Sequence, residues 1–543
     1  MHTLTCHVKT DHSPLVMRTL EILQRELGER HGVRLDERPG AADLILDIQG
    51  GIGREGFRVE RAGSRTRIIG DDERGLLYGA GRFLRDPNRT GESVPQKPVR
   101  GLYAATHFLN WYHVASENEI ARYIEELALW GINHLCVVFP IINLNGWDDP
   151  ETDAFFRRLK TWRRFCRHVG IRFGILCCPN QDFKQPRIEF QAVPNRDEFR
   201  RKGNHGNNIC PSKPGAMDYL LGIQEELFNR LRETPPDFFG FWPYDEGGCG
   251  CDHCFPWGAN GYPRICRLLA GRLRELFPGI KLILSTWVFD TPPAGEWAGL
   301  RRALEKEGNW VDYILADAHE EFPRYPLDTG IPGDLPLLNF PEISMWGLGP
   351  WGGFGANPLP NRFQSLWDQV RDKVDGGFPY SEGLFEDMNK VIVAQLYWNP
   401  RRSAEDIVRE YTAYEFSGAD TEAVLEMVRN IEANHVAVAT GRQPDLHLAE
   451  RAWLIARETD ARLSKRSRES WRWRIVYLRA LLDRERYNAA LPQGWPPKQS
   501  WADLLAENRV AQSAFRELVK WYHSKEHDDG LCPQHAWVRP PLS

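Results

Sequence analysis

Short apolar runs alternate with amphipathic stretches over the middle of the chain, from Val99 to Pro400. In the amphipathic stretches apolar residues recur every three to four positions, which is typical of helices, whereas the apolar runs have the length of buried strands. The runs are GLYAATHFLN, INHLCVVFP, IRFGILCCPN, DFFGFWPYDEGG, KLILSTWVFD, VDYILADAHEE, LPLLNFPEISMW and GGFPYSEGLFEDMN. Eight strands that alternate with helices over about 290 residues favour a closed (β/α)8 TIM barrel over an open sheet. The helix between the sixth and seventh strands is the weakest, because YPLDTGIPGD resembles a loop.

The region before the barrel shows the same kinds of element on a smaller scale. Residues 1–95 are predicted to form a small α/β domain with a helix from Pro14 to His31. Its other predicted elements are strands in HTLTCHVKT, ADLILDIQ, GFRVERA and RTRIIG and a helix in DDERGLLYGAGRFLRD. The polar, proline-rich stretch from Pro87 to Pro98 is predicted to be a linker.

The region after the barrel is predicted to be helical. Its first helix begins at Ser403, which together with Asp406 forms an aspartate variant of the capping box. The predicted fold class is therefore α/β, with a small α/β domain (1–95), a (β/α)8 barrel (99–400) and an α-helical C-terminal region (401–543).

Composition excludes several classes of function. The 543 residues include 42% hydrophobic and 26% charged residues, and the formal net charge is −5. Basic residues do not cluster, which argues against a nucleic-acid partner, and the apolar runs are too short to span a bilayer. The N-terminal sequence has no basic stretch followed by an apolar core, so a cytoplasmic protein is expected.

Acidic residues follow several of the predicted strands at their carboxyl ends, where barrel enzymes carry their chemistry. Asp245 and Glu246 end the fourth strand, Asp317 the sixth, Glu342 the seventh and Glu382 the eighth. Any one of them could instead cap a helix or pair with an arginine. Several carboxylates in one crevice repel each other, however, so the set favours a use in catalysis or in metal binding.

Glycoside hydrolysis needs such a set, because one carboxylic acid protonates the leaving oxygen while a second carboxylate activates water or attacks directly. Glu246 is the candidate acid, since Asp245 and the aromatic residues before it would raise its pKa. Asp317 and Glu342 are the candidate bases. This chemistry needs no cofactor.

The 20 tryptophans and 16 tyrosines of the chain are unusual in that many lie in predicted loops. Aromatic faces can stack on sugar rings, although packing in the core is the competing interpretation for each residue. The candidate substrate-binding residues are His107, Trp242, Tyr244, Trp287, Trp346, Tyr380 and Glu382.

Two segments resemble a known superfamily of glycoside hydrolases. RGLLYGAGRFLRD resembles the end of the small α/β domain that precedes the barrel in α-glucuronidases and β-N-acetylhexosaminidases, and VRGLYAATHFLNWYH resembles the start of their barrel. The resemblance to α-glucuronidases implies an exo-acting, inverting hydrolase. In it Glu246 would be the general acid, and Asp317 and Glu342 would hold the attacking water as the base.

Two alternatives remain open. The resemblance to hexosaminidases implies retention through the substrate, with Asp245 orienting an acetamido group and Glu246 acting as the acid. An alternative of another class is a protein that binds glycans without cleaving them, or a zinc-dependent regulatory protein. In the enzyme interpretations the partner is a carbohydrate substrate, and the sequence leaves open whether the chain forms a homo-oligomer.

A cysteine cluster, CGCDHC, follows the acids of the fourth strand. The chain has 11 cysteines, and without a secretory signal these are expected to be reduced thiols or metal ligands. Cys249, Cys251 and Cys254 have a spacing that can share one tetrahedral zinc ion. Cys210 is the preferred fourth ligand, ahead of His253 and of Cys177 or Cys178. Four ligands would make a structural zinc site, three with a bound water a catalytic one, and free thiols are the competing interpretation.

Overall fold

The structure of the protein is a computed structural model. It describes residues 2–107, 110–194, 207–243, 248–290, 294–347, 356–499, 503 and 507–519.

The N-terminal part of the chain forms a six-stranded mixed sheet with strand order β2-β1-β3-β5-β4-β6. Its elements are β1 (His2–Val8), α1 (Pro14–His31), β2 (Val33–Glu37), β3 (Leu44–Ile48), β4 (Phe57–Ala62), β5 (Arg65–Gly70), α2 (Glu73–Arg85) and β6 (Gly91–Ser93). The sequence analysis missed β2 and β6, and β6 lies inside the predicted linker. β2 was missed because only one of its five residues is buried, which leaves hardly any apolar pattern. β6 has only three residues.

The barrel is formed by parallel strands. They are β7 (Val99–Ala104), β8 (His134–Val138), β9 (Arg172–Cys177), β10 (Phe238–Phe241), β11 (Lys281–Ser285), β12 (Tyr313–Ala318), β13 (Leu337–Pro341), β14 (Gly376–Gly377) and β15 (Tyr380–Ser381). Both β14 and β15 pair with β7, which closes the barrel. The eighth strand thus consists of two short pieces, separated by Phe378 and by Pro379, which has no backbone N–H to donate. The predicted fold class is confirmed.

Helices connect most of the barrel strands. They are α3 (Trp111–Val114), α4 (Glu117–Leu129), α5 (Pro150–His168), α6 (Ala216–Arg230), α7 (Gly261–Leu276), α8 (Glu296–Glu307), α9 (Arg324–Asp328), α10 (Pro360–Val370) and α11 (Asp387–Trp398). The helix between the sixth and seventh strands, α9, has only five residues, which confirms that this connection is the weakest.

In the described part of the C-terminal region the main elements are helices, namely α12 (Ala404–Glu415), α13 (Thr421–Ala439), α14 (Leu446–Arg462), α15 (Lys465–Glu469), α16 (Trp471–Ala490) and α17 (Arg509–Val519). Ser403 caps α12, since its hydroxyl oxygen accepts the Asp406 N–H at 3.0 Å. The Asp406 carboxylate accepts the Ser403 hydroxyl at 2.7 Å, because aspartate is one methylene shorter than the glutamate of the usual box. None of the helices in the described ranges is long and apolar enough to cross a membrane.

Candidate active site

Five aromatic side chains form a layer inside the barrel, near the carboxyl ends of its strands. They come from β7, β13 and β15 and from the residues that follow β10 and β11, and they are Tyr103, Trp242, Trp287, Phe340 and Tyr380. Tyr103 stacks on Tyr380 with ring centroids 5.4 Å apart, and Trp242 stacks on Trp287 at 5.3 Å. Four of the five are buried and Trp287 is half-buried. Most of their surface is therefore hidden from solvent, and the layer forms a floor at this end of the barrel.

Asp317 is the penultimate residue of β12, and its half-buried side chain lies beside this floor. Its Oδ1 accepts the backbone N–H of His319 at 2.8 Å, and its Oδ2 accepts that of Val288 at 3.4 Å. Backbone donors stabilise the ionised form of a carboxyl group. Asp317 is thus oriented as a carboxylate with access to solvent.

Glu342 directly follows β13 and is 1% exposed. Its Oε1 accepts three bonds, from the Ser344 N–H, the Ser344 hydroxyl and the Met345 N–H. Its Oε2 lies 3.6 Å from His319 Nδ1. Burial raises the pKa of Glu342 to about 8, although the bonds from Met345 and Ser344 oppose the rise. One oxygen is thus held in place, while the other faces His319.

Glu382 follows β15 and is also 1% exposed. Its Oε1 accepts the Tyr380 hydroxyl at 2.6 Å. Burial raises the pKa of Glu382 to about 8, and the negative charges of Glu342 and Glu386 add to the rise. With pKa values raised to about 8, both buried glutamates favour the protonated form at neutral pH, and a charge on Glu342 further disfavours the ionisation of Glu382.

A buried network supports the loop that carries Glu382. Glu386 Oε1 accepts the Ser381 hydroxyl and the N–H groups of Glu382 and Gly383, the latter two at 2.8 and 2.9 Å. The Lys390 ammonium lies 3.6 Å from the same oxygen and donates to the Gly383 carbonyl. Glu386 and Lys390 therefore hold the backbone around Glu382 in place.

Two predicted sugar contacts are not part of the layer. His107 is half-buried, and its ring meets Tyr103 edge to face at 6.4 Å. Trp346 does not join the layer, because the guanidinium of Arg362 covers its ring at 3.7 Å and its indole N–H donates to Glu320 at 3.0 Å. Trp346 packs toward His435 of α13 instead.

Three candidates from the sequence analysis, Tyr244, Asp245 and Glu246, lie outside the described residues. The chain on both sides of them is described. Trp242 belongs to the aromatic layer, and the Pro243 carbonyl accepts the Trp257 indole N–H at 3.0 Å. Beyond them, Gly248 has φ +74, and the Trp257 ring fills the space that a Cβ would need. The buried Trp257 thus anchors both ends of the segment that carries the acids.

The structure brings the sulfur atoms of Cys210, Cys249, Cys251 and Cys254 together, all within 4.8 Å of one another. His253, the second choice for the fourth position, is exposed. Cys177, one of the third choices, donates its thiol to Gln224 at 3.5 Å instead.

Comparison with solved structures shows similarity to glycoside hydrolases. A family GH115 4-O-methyl-α-glucuronidase with specificity for decorated arabinogalactans superposes with a TM-score of 0.63 at 10% identity, over 100% of this chain and 78% of that one. A family 89 glycoside hydrolase from Clostridium perfringens, in complex with PUGNAc, gives 0.58 at 13% identity, over 94% and 65%. A GH20 exo-β-N-acetylglucosaminidase from Vibrio harveyi gives 0.52 at 12% identity, over 79% and 74%.

The chain has the fold of these hydrolases. The resemblance that the sequence suggested is confirmed at the level of the fold, and the barrel ends that carry Asp317, Glu342 and Glu382 are those at which this fold places its chemistry. No protein-family model matches the sequence, and a comparison with curated proteins gives no match.

The sequence analysis missed His319, which contacts the site from two sides. Its ring meets Trp287 edge to face at 5.3 Å, and its Nδ1 faces Glu342. It directly follows β12, two residues beyond Asp317, and this position at a strand end is the signal by which the sequence could have indicated it.

Two buried asparagines beyond the third strand were also missed. Asn180 and Asn208 are at most 1% exposed, and Asn180 Oδ1 and both polar side-chain atoms of Asn208 have no hydrogen-bond partner among the described residues. A buried polar atom without a partner is costly, so such atoms usually bind water or a ligand. No apolar period or motif marks these residues in the sequence.

Proposed function

We propose that the protein is an exo-acting glycoside hydrolase whose substrate is a carbohydrate. The observation that carries this proposal is the set of Asp317, Glu342 and Glu382 at neighbouring strand ends, beside a floor of aromatic rings. Burial raises the pKa values of both glutamates to about 8 while Asp317 keeps backbone donors that favour its ionised form. Carboxyl groups whose environments differ in this way are typical of acid–base sites.

The roles that fit best are those of direct inversion, as in α-glucuronidases. Glu246 donates a proton to the leaving oxygen, and a water molecule attacks the anomeric carbon from the opposite side and loses its proton to Asp317. Glu342, which was grouped with Asp317 as the base, has a pKa of about 8. At neutral pH it is therefore mostly protonated and orients the water or a sugar hydroxyl, while Asp317 takes the proton.

Substrate-assisted retention is the alternative, because Asp245 and Glu246 are adjacent in the sequence, as are the aspartate and glutamate of the hexosaminidase pair. In that reaction Asp245 orients the acetamido group that attacks the anomeric carbon, and Glu246 is again the acid. The two mechanisms differ in the role of Asp317, which is the base only in the first.

The deciding experiment is a screen of aryl uronides and aryl N-acetylhexosaminides with the wild type and the Glu246→Gln variant. We expect one substrate class to be hydrolysed, with the Glu246→Gln variant at least about 10²-fold slower on substrates with a poor leaving group. Proton NMR of the first-formed anomer is expected to show inversion, whereas a retained anomer together with inhibition by a thiazoline would favour the alternative. Unchanged activity of Glu246→Gln would contradict both mechanisms, and tight glycan binding without turnover would favour a binding protein.

A further inference from the structure

The four clustered cysteines come from two different loops of the barrel. Cys210 lies on the loop between β9 and α6, and the other three lie on the loop between β10 and α7. The sulfur atoms of Cys210 and Cys251 are 3.7 Å apart. A disulfide would need a distance of about 2.05 Å, so this contact is between two free sulfur atoms.

The spacing of the sulfur atoms matches a single tetrahedral ion. Zinc–sulfur bonds of about 2.3 Å in a tetrahedron place neighbouring sulfur atoms about 3.8 Å apart. All four atoms already lie within 4.8 Å of one another. A cluster of several irons would hold its thiolates farther apart than this, and four thiolates around one ion favour zinc.

The surroundings of the sulfur atoms suit thiolates. The Ser212 hydroxyl lies 3.2 Å from Cys254 Sγ, and the guanidinium of Arg264 lies 3.9 Å from the same atom and 2.6 Å from that hydroxyl. Hydrogen bonds to the ligand atoms and a nearby cation stabilise the negative charge of a four-thiolate zinc site.

We propose that Cys210, Cys249, Cys251 and Cys254 bind one zinc ion in a closed structural site. The four thiolates fill the tetrahedron, so no position is left for a reactive water. The ion would connect the loop after the third strand to the loop after the fourth. Its nearest ligand in the second loop, Cys249, is three residues beyond Glu246. Together with Trp257 it would hold the segment that carries the proposed acid. The site does not depend on the proposed hydrolase activity, since it takes no part in the reaction.

The test is the metal content of the purified full-length protein, measured by mass spectrometry after dialysis. We expect one zinc per chain. Titration with an organomercurial in the presence of a zinc indicator is expected to release that ion as four thiols react. Cys251→Ser is the chosen variant, because Cys251 is the least buried of the four, and Cys266→Ala, at a buried cysteine of α7, is the control. We expect Cys251→Ser to retain well below one zinc and Cys266→Ala to retain the wild-type amount.

A second measurement does not require the variant to fold. Wild-type protein from which zinc has been removed is titrated with Co²⁺, and tetrahedral thiolate binding is expected to give strong charge-transfer and d–d absorption bands at one equivalent. Protein without zinc that shows no such bands, iron in place of zinc, a disulfide within the cluster, or full zinc retention by Cys251→Ser would each overturn the proposal. Hydrolase assays of the same samples separate this outcome from that of the proposed function.

Discussion

Asp317 and Glu342 lie at the ends of neighbouring strands, yet their surroundings stabilise the ionised carboxylate to different degrees. Asp317 is half-buried and accepts two backbone N–H groups. Glu342 is fully buried, and the charge of another buried glutamate, Glu386, adds to the rise of its pKa. Burial therefore favours the protonated form of Glu342, whereas the backbone donors of Asp317 favour a charged carboxylate. This division supports Asp317 as the base of the proposed reaction.

Replacing Asp317 with asparagine tests that role. We expect kcat of Asp317→Asn to fall by about 10²- to 10⁴-fold with little change in KM, because the amide keeps the shape but cannot take a proton. Steady-state kinetics on the substrate class found in the screen measures the effect. Glu321→Gln, at an exposed position four residues on, is the control and should keep wild-type kinetics. Wild-type kcat in Asp317→Asn would contradict the inverting mechanism.

The buried Glu342 also makes stability depend on pH. Its pKa is about 8 in the folded protein and 4.5 as the ordinary value, so folding favours the protonated form. The stabilisation is fully present below about pH 4.5 and is lost as pH rises through about 8, at no more than about 1.4 kcal/mol per pH unit. We expect the wild type to lose stability relative to Glu342→Gln over this range, measured by urea unfolding. A constant difference between the two proteins would show that Glu342 is ionised throughout.

At the scale of elements, a buried ionic network joins helices from different parts of the chain. Arg472 at the start of α16 donates to Asp387 of α11 at 2.8 Å and to Glu126 of α4 at 2.6 Å. Tyr123 and Tyr411 donate their hydroxyls to the same aspartate. Burial opposes the charge of Asp387, but Arg472 and Lys390 keep its pKa below the ordinary value. Ion pairs and hydrogen bonds, as well as apolar contacts, thus hold the C-terminal helices against the barrel.

Arg472→Met is expected to destabilise the protein by about 3–5 kcal/mol, because the buried Asp387 loses the guanidinium that donates to it and keeps only Lys390 as a nearby cation. The matched control is Arg451→Met, which removes an exposed pair with Glu426 between α13 and α14 and should cost at most about 1 kcal/mol. Urea unfolding of both variants measures the difference. Equal effects would mean that the buried network contributes no more than a surface pair.

At the scale of the whole molecule, the proposed units at 1–95, 99–400 and 401–543 meet through buried contacts. Arg100 in the first barrel strand is fully buried and pairs with Glu55 of the N-terminal sheet. Gly81 of α2 lies so close to α4 that a Cβ would be 2.4 Å from the Leu129 carbonyl oxygen. Because polar and apolar groups interlock at this boundary, we expect the N-terminal unit and the barrel to unfold together.

Gly81→Ala tests that contact. The added methyl group has no room, so we expect a loss of about 1–3 kcal/mol in the free energy of unfolding even though alanine favours helices. Gly28→Ala, in α1, is the control, since its nearest atom would be 3.8 Å away, and it should be neutral or slightly stabilising. Denaturant unfolding followed by tryptophan fluorescence and by circular dichroism checks both the size of the effect and the expected single transition.

The sequence by itself determined the fold class and the main elements of the barrel. The eight strands, their helices and the weak connection between strands six and seven follow from the local spacing of apolar residues, which reflects the period of each element. Asp317, Glu342 and Glu382 each lie at the carboxyl end of a predicted strand. Because the strands of the barrel are parallel, their carboxyl ends lie at the same end of the barrel, so the sequence also placed these three residues together there. β2 and β6 were missed because they bury too few residues to show an alternation of apolar and polar positions.

Only the tertiary structure decided which side chains meet and what charge they carry. Cys210 contacts Cys251 across 41 residues of sequence, and His319 reaches Glu342 on the next strand. Trp346 turned toward Arg362 and away from the aromatic layer. Burial raises the pKa values of Glu342 and Glu382, the charge of Glu386 adds to both, and the charge of Glu342 adds to that of Glu382. Such properties depend on distances through space and on the exclusion of water, and local sequence spacing does not contain either of them.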